Sequence, residues 1–383
     1  MRWLRLCAWI SSFGRLPPLQ LLLLLLLSLV FAGCATSPYA QLETASPALT
    51  PAQVAELQKT AKTATELGFQ MRVTDQSVDF AGVNSVEARG NATVPLQNLS
   101  AANPAAIPTG LPIVLATVNP DNRLGVSGGS EVPVLLDSGS NRNIFGYELA
   151  RSLGIPTIAG LKPLKGMGIG GAIDDYVAVV PSMQIGTVEL RNLVALIGPD
   201  AQVLSFAHGF WGEKQIMILG VDALRRLSYL TIDYLRGTVT IGAQEAFLPD
   251  DTLKSMTTVP LHWVGDLPAV EASIDGRDPV PCLLDTGGDY GMLVPRVQAI
   301  ELGYWKPGKG ELTTSRGVGG AALNTSYLVQ QARLGSTTLE RIPAHTTVVG
   351  PEPGGGRLFL GNVMLRRYRV TFDFRHSVLW LEK

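Results

Sequence analysis

One eight-residue element is written twice in this chain. It reads Val132-Pro133-Val134-Leu135-Leu136-Asp137-Ser138-Gly139 in the first copy and Val280-Pro281-Cys282-Leu283-Leu284-Asp285-Thr286-Gly287 in the second. A single Asp-Ser-Gly is an ordinary surface turn, in which Asp bonds its own backbone and Gly supplies positive φ. Here each tripeptide ends an apolar run of strand length, which holds its Asp near the interior, where an unpaired carboxylate is costly. Two such carboxylates on equivalent strand ends point to a paired-carboxylate site and to a fold built from two like halves.

The duplication extends beyond this element. Gly168-Ile169-Gly170-Gly171 matches Gly317-Val318-Gly319-Gly320, and Gly186 matches Gly335, both at an offset of 149, close to the 148 that separates Asp137 from Asp285. Ile218-Leu219-Gly220 matches Phe359-Leu360-Gly361 at 141, and Thr231-Ile232-Asp233-Tyr234 matches Thr371-Phe372-Asp373-Phe374 at 140. The order never changes, so the drift in offset places the main insertion in the first copy before Gly220, around His208-Gly209-Phe210-Trp211-Gly212. Segments 176–180, 193–197, 238–241 and 378–381 alternate or run apolar over strand lengths. Short helices are expected near Asp222 and Asn362, read as N-caps, and hairpin turns at Arg236-Gly237 and His376-Ser377. Charged residues are only 16% of the chain and glycines number 41, which favours short strands and tight turns over amphipathic helices.

The start of the chain reads differently. Arg2, Arg5 and Arg15 precede an apolar run from Leu21 to Leu27, followed by Val30-Phe31-Ala32-Gly33-Cys34. The run is too short to span a bilayer and ends in small residues, the layout of a secretory signal. Its Ala-Gly-Cys end resembles a bacterial lipobox, which implies that residues 1–34 form a lipoprotein signal, with Cys34 lipidated as the mature N-terminus. A plain signal peptide cut nearby is the alternative. With Cys7 removed and Cys34 acylated, only Cys282 remains, so no intramolecular disulfide is expected, and Cys282 reads as a small core residue. Residues 35–110 read as a tether, one N-terminal helix and a linker. Thr50 is that helix's N-cap, Pro51 its first residue, Gln53 the partner in a capping box and Gly68 its end, while 84–110 is a linker or irregular wrap. The halves then occupy 111–246 and 258–383, joined by 247–257. A net charge of -1 with no basic cluster gives no footprint for nucleic acid.

An apolar strand ending in Asp-Thr/Ser-Gly, a Gly-Ile-Gly-Gly hairpin, and a later apolar pair followed by Gly and a short helix together resemble the lobe of an aspartic peptidase. The hairpin is closest to retropepsin-like domains, and two lobes in one chain resemble the pepsin arrangement. The resemblance spans roughly residue 111 to the C-terminus. It implies an all-β fold of two closed, barrel-like lobes related by pseudo-twofold symmetry, with short helices besides the N-terminal one. It implies a monomer acting on a peptide or protein substrate, with Asp137 and Asp285 as the catalytic pair and no metal or cofactor. It also implies that Ser138 and Thr286 tie the two loops together, while Gly139 and Gly287 allow the tight turn and backbone N–H donation to the carboxylates. Ser140 is expected to donate to Asp137, whereas Gly288 offers Asp285 no hydroxyl, so Asp285 is expected to be the protonated partner. Gly168 to Gly171 and Gly317 to Gly320 are expected as flaps over substrate. Gly166-Met167-Gly168-Ile169-Gly170-Gly171 also has dinucleotide-fingerprint spacing, but a strand rather than a helix is expected after it, which argues against that use. His208, His262, His345 and His376 lack metal-ligand spacing. Asp233 and Asp373 read as turn or edge-strand partners, and Asp174-Asp175 as a solvated loop. The lipid would hold the protein at the bacterial envelope, on the periplasmic face of the outer membrane. Two alternatives remain open: a non-catalytic peptide-binding or envelope-structural lipoprotein on the same fold, and a form in which 35–111 covers the cleft as a propeptide.

Overall fold

The computed structural model describes residues 48–67, 72–73, 78–79, 87–97, 110–119, 129–169, 171–200, 215–249, 255–308 and 310–383. The signal segment, Cys34, the tether to residue 47, Gly68, Gly170 and the loop around His208 lie outside these residues.

Each half closes into a barrel. In the first, strands Ile113–Val118, Ser130–Leu136, Met217–Leu219, Asn143–Gly146, Val188–Gly198 and Gly171–Ile185 pair in that order, and Gly171–Ile185 returns to Ile113–Val118 to complete the ring. The second repeats it with Leu267–Ile274, Val280–Asp285, Leu358–Gly361, Met292–Leu293, Thr337–Val349 and Gly320–Leu334. Period-two patterning builds both rings: Val134 and Leu136 point into the first core beside Phe145, Ile185 and Ile197, while Leu135 between them faces a separate apolar cluster. Cys282 and Leu284 occupy the equivalent inward positions of the second core, and the Cys282 thiol is free and buried. Full burial of a side chain such as Phe145 stabilises by about 1.5–3 kcal/mol.

A third sheet joins the halves. Its order is Met256–Pro260, Val378–Glu382, Arg369–Asp373, Tyr229–Asp233, Thr238–Gly242 and Asn91–Pro95, with one strand of each half in the central antiparallel pair. Thr231 pairs with Thr371 at its middle, their hydroxyls 2.8 Å apart, so the pseudo-twofold axis passes between equivalent residues. Within the stretch read as a linker, Asn91–Pro95 forms one edge of this sheet and Glu87–Arg89 pairs with Val188–Gly198. Both are short edge strands, the kind that carries little alternation and tolerates a Pro such as Pro95.

Among the described residues, five short α-helices accompany the sheets. Helix α1 (Pro51–Thr60) starts with the expected capping box but stops well before Gly68. Its end is set by tertiary contacts: the Thr157 hydroxyl donates to the Leu57 carbonyl at 3.0 Å, and the Lys62 N–H donates to the Thr157 carbonyl at 2.9 Å. Tyr147, the first residue of helix α2 (Tyr147–Ser152), donates to Glu56 at 2.5 Å and fastens α1 to the first barrel. Helices α3 (Val221–Leu224), α4 (Arg296–Glu301) and α5 (Asn362–Leu365) follow, and α3 and α5 are entered from Gly220 and Gly361 without a side-chain cap. Asp222 instead pairs with Arg142 at 2.7 Å. Asn362 is fully buried, donates to the Gly110 carbonyl at 2.7 Å and accepts from the Tyr234 hydroxyl at 2.5 Å.

Two further acidic pairs meet expectation to different degrees. Asp233 and Asp373 do accept turn N–H groups, from Arg236 at 2.8 Å and His376 at 3.0 Å, yet they sit on the two central strands of the joining sheet rather than on an edge. Asp174 and Asp175 lie on strand Gly171–Ile185, not in a solvated loop. Alternation sends Asp174 to solvent and Asp175 inward with Ile173 and Val177, where its carboxyl is fully buried and neither oxygen has a hydrogen-bond partner. Burial, and secondarily the Asp174 charge, raises its pKa to about 7.

Candidate active site

The two Asp tripeptides meet where the barrels abut. In each barrel a buried strand runs parallel to the one that delivers the Asp: Met217–Leu219 beside Ser130–Leu136, and Leu358–Gly361 beside Val280–Asp285. The Asp137 N–H donates to the Leu219 carbonyl at 3.0 Å, which fixes where the first loop leaves the strand.

Ser138 and Thr286 interlock the loops with reciprocal bonds. The Ser138 N–H donates to Thr286 Oγ1 at 3.0 Å and the Thr286 N–H to Ser138 Oγ at 3.0 Å. The Ser138 hydroxyl donates to the Leu284 carbonyl at 2.8 Å and the Thr286 hydroxyl to the Leu136 carbonyl at 2.6 Å. Both side chains are buried, so these four bonds satisfy groups that water does not reach.

This grip sets the carboxyl groups of Asp137 and Asp285 beside each other, each against the glycine of the opposite loop. The approach requires Gly139 and Gly287. A Cβ on Gly139 would lie 2.5 Å from Asp285 Cγ, and one on Gly287 would lie 2.5 Å from Asp137 Cγ. The Gly139 N–H donates to Asp137 Oδ1 at 2.8 Å. Burial pushes the Asp137 pKa well up, and the Asp285 charge pushes it further. Burial raises Asp285 too, but the Tyr290 hydroxyl, Asp137 and the Gly287 and Gly288 N–H groups offset part of the rise. Such a pair retains one proton where isolated carboxylates would have lost both.

The expected role of Ser140 does not hold. Its hydroxyl donates to the Arg142 carbonyl at 2.8 Å, and only its backbone N–H reaches Asp137. The hydroxyl on a carboxylate comes from the other half, where Tyr290 donates to Asp285 Oδ2 at 2.5 Å. The ground for expecting Asp285 to hold the proton is thereby removed. Tyr290 was not singled out in the sequence because it lies five residues beyond Asp285 in a turn; its signal was Gly288, which leaves room for the ring.

The glycine hairpins also meet. Leu164–Gly168 pairs with the start of Gly171–Ile185, and Leu312–Gly317 with the start of Gly320–Leu334, in matching registers that close on Gly168 opposite Gly171 and Gly317 opposite Gly320. A strand follows the first turn, as expected, and another follows the second. A Cβ on Gly168 would lie 2.8 Å from the Gly319 N, one on Gly317 would lie 2.6 Å from Ile169 Cβ, and one on Gly319 would lie 2.3 Å from the Gly171 carbonyl oxygen. Only bare backbone lets the two tips touch this closely. Val318 packs onto the first-half cluster of Leu111, Ile113, Leu135, Ile144, Ile216 and Ile218. The second half has its counterpart in Ala269, Leu283, Leu293 and Phe359, with Tyr290 against it.

No curated protein matches the chain. Residues 123–223, which carry Asp137, the first glycine hairpin and the entry to α3, match the family model of aspartyl proteases, and that match supports an aspartic peptidase, a hydrolase acting in proteolysis.

Proposed function

We propose that the chain is an aspartic endopeptidase whose two catalytic halves are carried on one polypeptide, exported and tethered to the bacterial envelope by lipid on Cys34. The observation that carries this reading is the seating of the Asp137 and Asp285 carboxyl groups beside each other, each against the glycine of the opposite loop, under the Ser138 and Thr286 grip. With one proton between them, one carboxylate takes a proton from a bound water as its oxygen adds to the scissile carbonyl carbon, and the other carboxyl gives its proton to the carbonyl oxygen. The resulting gem-diol collapses as the C–N bond breaks. The leaving nitrogen takes a proton from the first carboxyl, and a gem-diol hydroxyl returns one to the second, so the pair ends with the proton it began with. Peptide substrate lies under the two hairpin tips, which open to admit it. The apolar clusters on either side of the pair favour substrates with apolar side chains flanking the cleaved bond. The signal, its lipobox-like end and the tether support placement on the periplasmic face of the outer membrane, with the chain working as a monomer because both halves of the site are present.

The test is cleavage of a peptide library across acidic to neutral pH, with and without a statine-type inhibitor. Asp137→Asn and Asp285→Asn should each abolish inhibitor-sensitive cleavage. Either variant cutting as fast as the parent would rule out the shared-proton mechanism, and a parent that binds peptides without cutting them would favour a binding role. Loss of membrane association in Cys34→Ala checks the tether.

A further inference from the structure

The two halves of the site differ in one side chain that touches a carboxylate. Tyr290 donates to Asp285 Oδ2 at 2.5 Å. Its positional equivalent in the first half is Arg142, because a Cβ on Gly220 would meet the Arg142 carbonyl oxygen at 2.2 Å just as one on Gly361 would meet the Tyr290 carbonyl oxygen at 2.2 Å. Arg142 turns away to Asp222 and leaves Asp137 without a side-chain donor of its own. Gly288 belongs to the same device. A Cβ there would lie 2.4 Å from Tyr290 Cε1 and 2.5 Å from Asp285 Oδ2, so a residue like Ser140 at this position would displace the phenol from the carboxylate.

We propose that Tyr290 is a positioning residue that holds Asp285 in its ionised form and leaves the shared proton on Asp137, making Asp285 the base for water and Asp137 the acid for the carbonyl oxygen. The inference rests on the peptidase reading above and assigns the roles within it. A hydroxyl hydrogen-bonded to a carboxylate stabilises the charged form over the neutral one. The phenol keeps its own proton, because burial and the Asp285 charge raise its pKa well beyond the usual range. The other ionisable groups around the pair do not compete for this role. Cys282, on the strand that ends in Asp285, is held protonated by burial. Asp289 is exposed on the turn, where partial burial raises its pKa and the Arg366 charge offsets part of the rise. The ring also packs against the apolar cluster of Ala269, Leu283, Leu293 and Phe359.

The roles predict an asymmetric effect on the pH profile. The acid limb of kcat/KM reports ionisation of Asp285 and the basic limb reports loss of the proton on Asp137. Asp285 is charged on both sides of the basic limb, so removing Tyr290 should move the acid limb alone. In the full chain, Tyr290→Phe should raise the acid-limb pKa by roughly one to two units with the basic limb unmoved, the shift a charge-assisted hydrogen bond implies. Gly288→Ser should give the same one-sided shift with Tyr290 still present. Replacing Tyr290 with 3-fluorotyrosine, a stronger donor of nearly the same shape, should move the acid limb the other way. A Tyr290→Phe enzyme that is slower with both limbs in place would overturn the proposal. If Tyr290→Phe does not fold, the fluorotyrosine enzyme decides by the direction of its shift, and no shift overturns the proposal. Carboxyl-carbon NMR titration of Asp285 in parent and variant separates this inference from the reading beneath it. A raised Asp285 pKa in a protein that cleaves nothing would uphold the coupling while the peptidase reading failed, and an unmoved Asp285 in an active enzyme would do the reverse.

Discussion

Asp175 makes the stability of this protein depend on pH in a direction opposite to ordinary acid denaturation. Its carboxyl is fully buried on the strand that continues into the first hairpin, both oxygens unpartnered, with a pKa near 7 against an ordinary value of 3.8. Between about pH 4 and 7 the folded chain therefore holds a proton that the unfolded chain releases. Stability falls as pH rises through that window and levels off above it. About three pKa units at 1.36 kcal/mol each make the full cost of ionising this group in the fold about 4 kcal/mol. Asp175→Asn keeps the size and polarity of the protonated acid and removes only the ionisation. It should leave stability nearly unchanged at pH 4 and raise it by about 4 kcal/mol at pH 8. In urea, with a slope of about 3 kcal/mol per M, the unfolding midpoint at pH 8 should rise by roughly 1 M. Asp137 and Asp285 add a dependence of the same sign, but it is common to both proteins and cancels in the difference. The measurement is a series of urea melts of parent and variant from pH 4 to 8. A difference that is the same at every pH, or absent at pH 8, would refute the reasoning.

Three other perturbations read separate parts of the fold. Thr286→Val removes the hydroxyl that accepts from the Ser138 N–H and donates to the Leu136 carbonyl, and leaving both groups buried and unpaired should cost about 2–4 kcal/mol in urea melts together with activity; a loss under about 1 kcal/mol would mean the grip is not needed for stability. Gly319→Val places a side chain where its first carbon would already lie 2.3 Å from the Gly171 carbonyl oxygen, so the tips separate and kcat/KM should fall about tenfold or more while the melting temperature holds; unchanged kinetics would show that tip contact is not used. Asn362→Ala strands the Gly110 carbonyl and the Tyr234 hydroxyl, and a destabilisation of about 2–4 kcal/mol is expected by the same melts.

The duplicated element carried most of what could be read in advance. Nearly identical apolar runs ending in Asp-Ser-Gly and Asp-Thr-Gly require two equivalent buried strands, and the preserved order of landmarks along the chain requires two equivalent sheets. Positions 176–180, 193–197, 238–241 and 378–381 all fall in strands because period-two burial is a local property. Edge strands such as Asn91–Pro95 escaped, since half their surface faces solvent and their pattern is weak. The end of α1 escaped as well, because Thr157 and Ile158, about a hundred residues away, set it.

The chain by itself determined the all-β duplicated architecture, the candidate pair Asp137 and Asp285, and the need for glycine beside each. It did so because buried periodicity and tight turns are written in neighbouring residues. Only the tertiary structure decided how the two halves differ. Tyr290 reaching Asp285, Ser140 bonding Arg142 instead of Asp137, the hairpin tips touching through Gly168 and Gly319, and Asp175 buried without a partner all depend on side-chain direction and on contacts between distant segments. Whether a hydroxyl stabilises a carboxylate is settled within a few tenths of an ångström, and linear spacing does not encode distances of that kind.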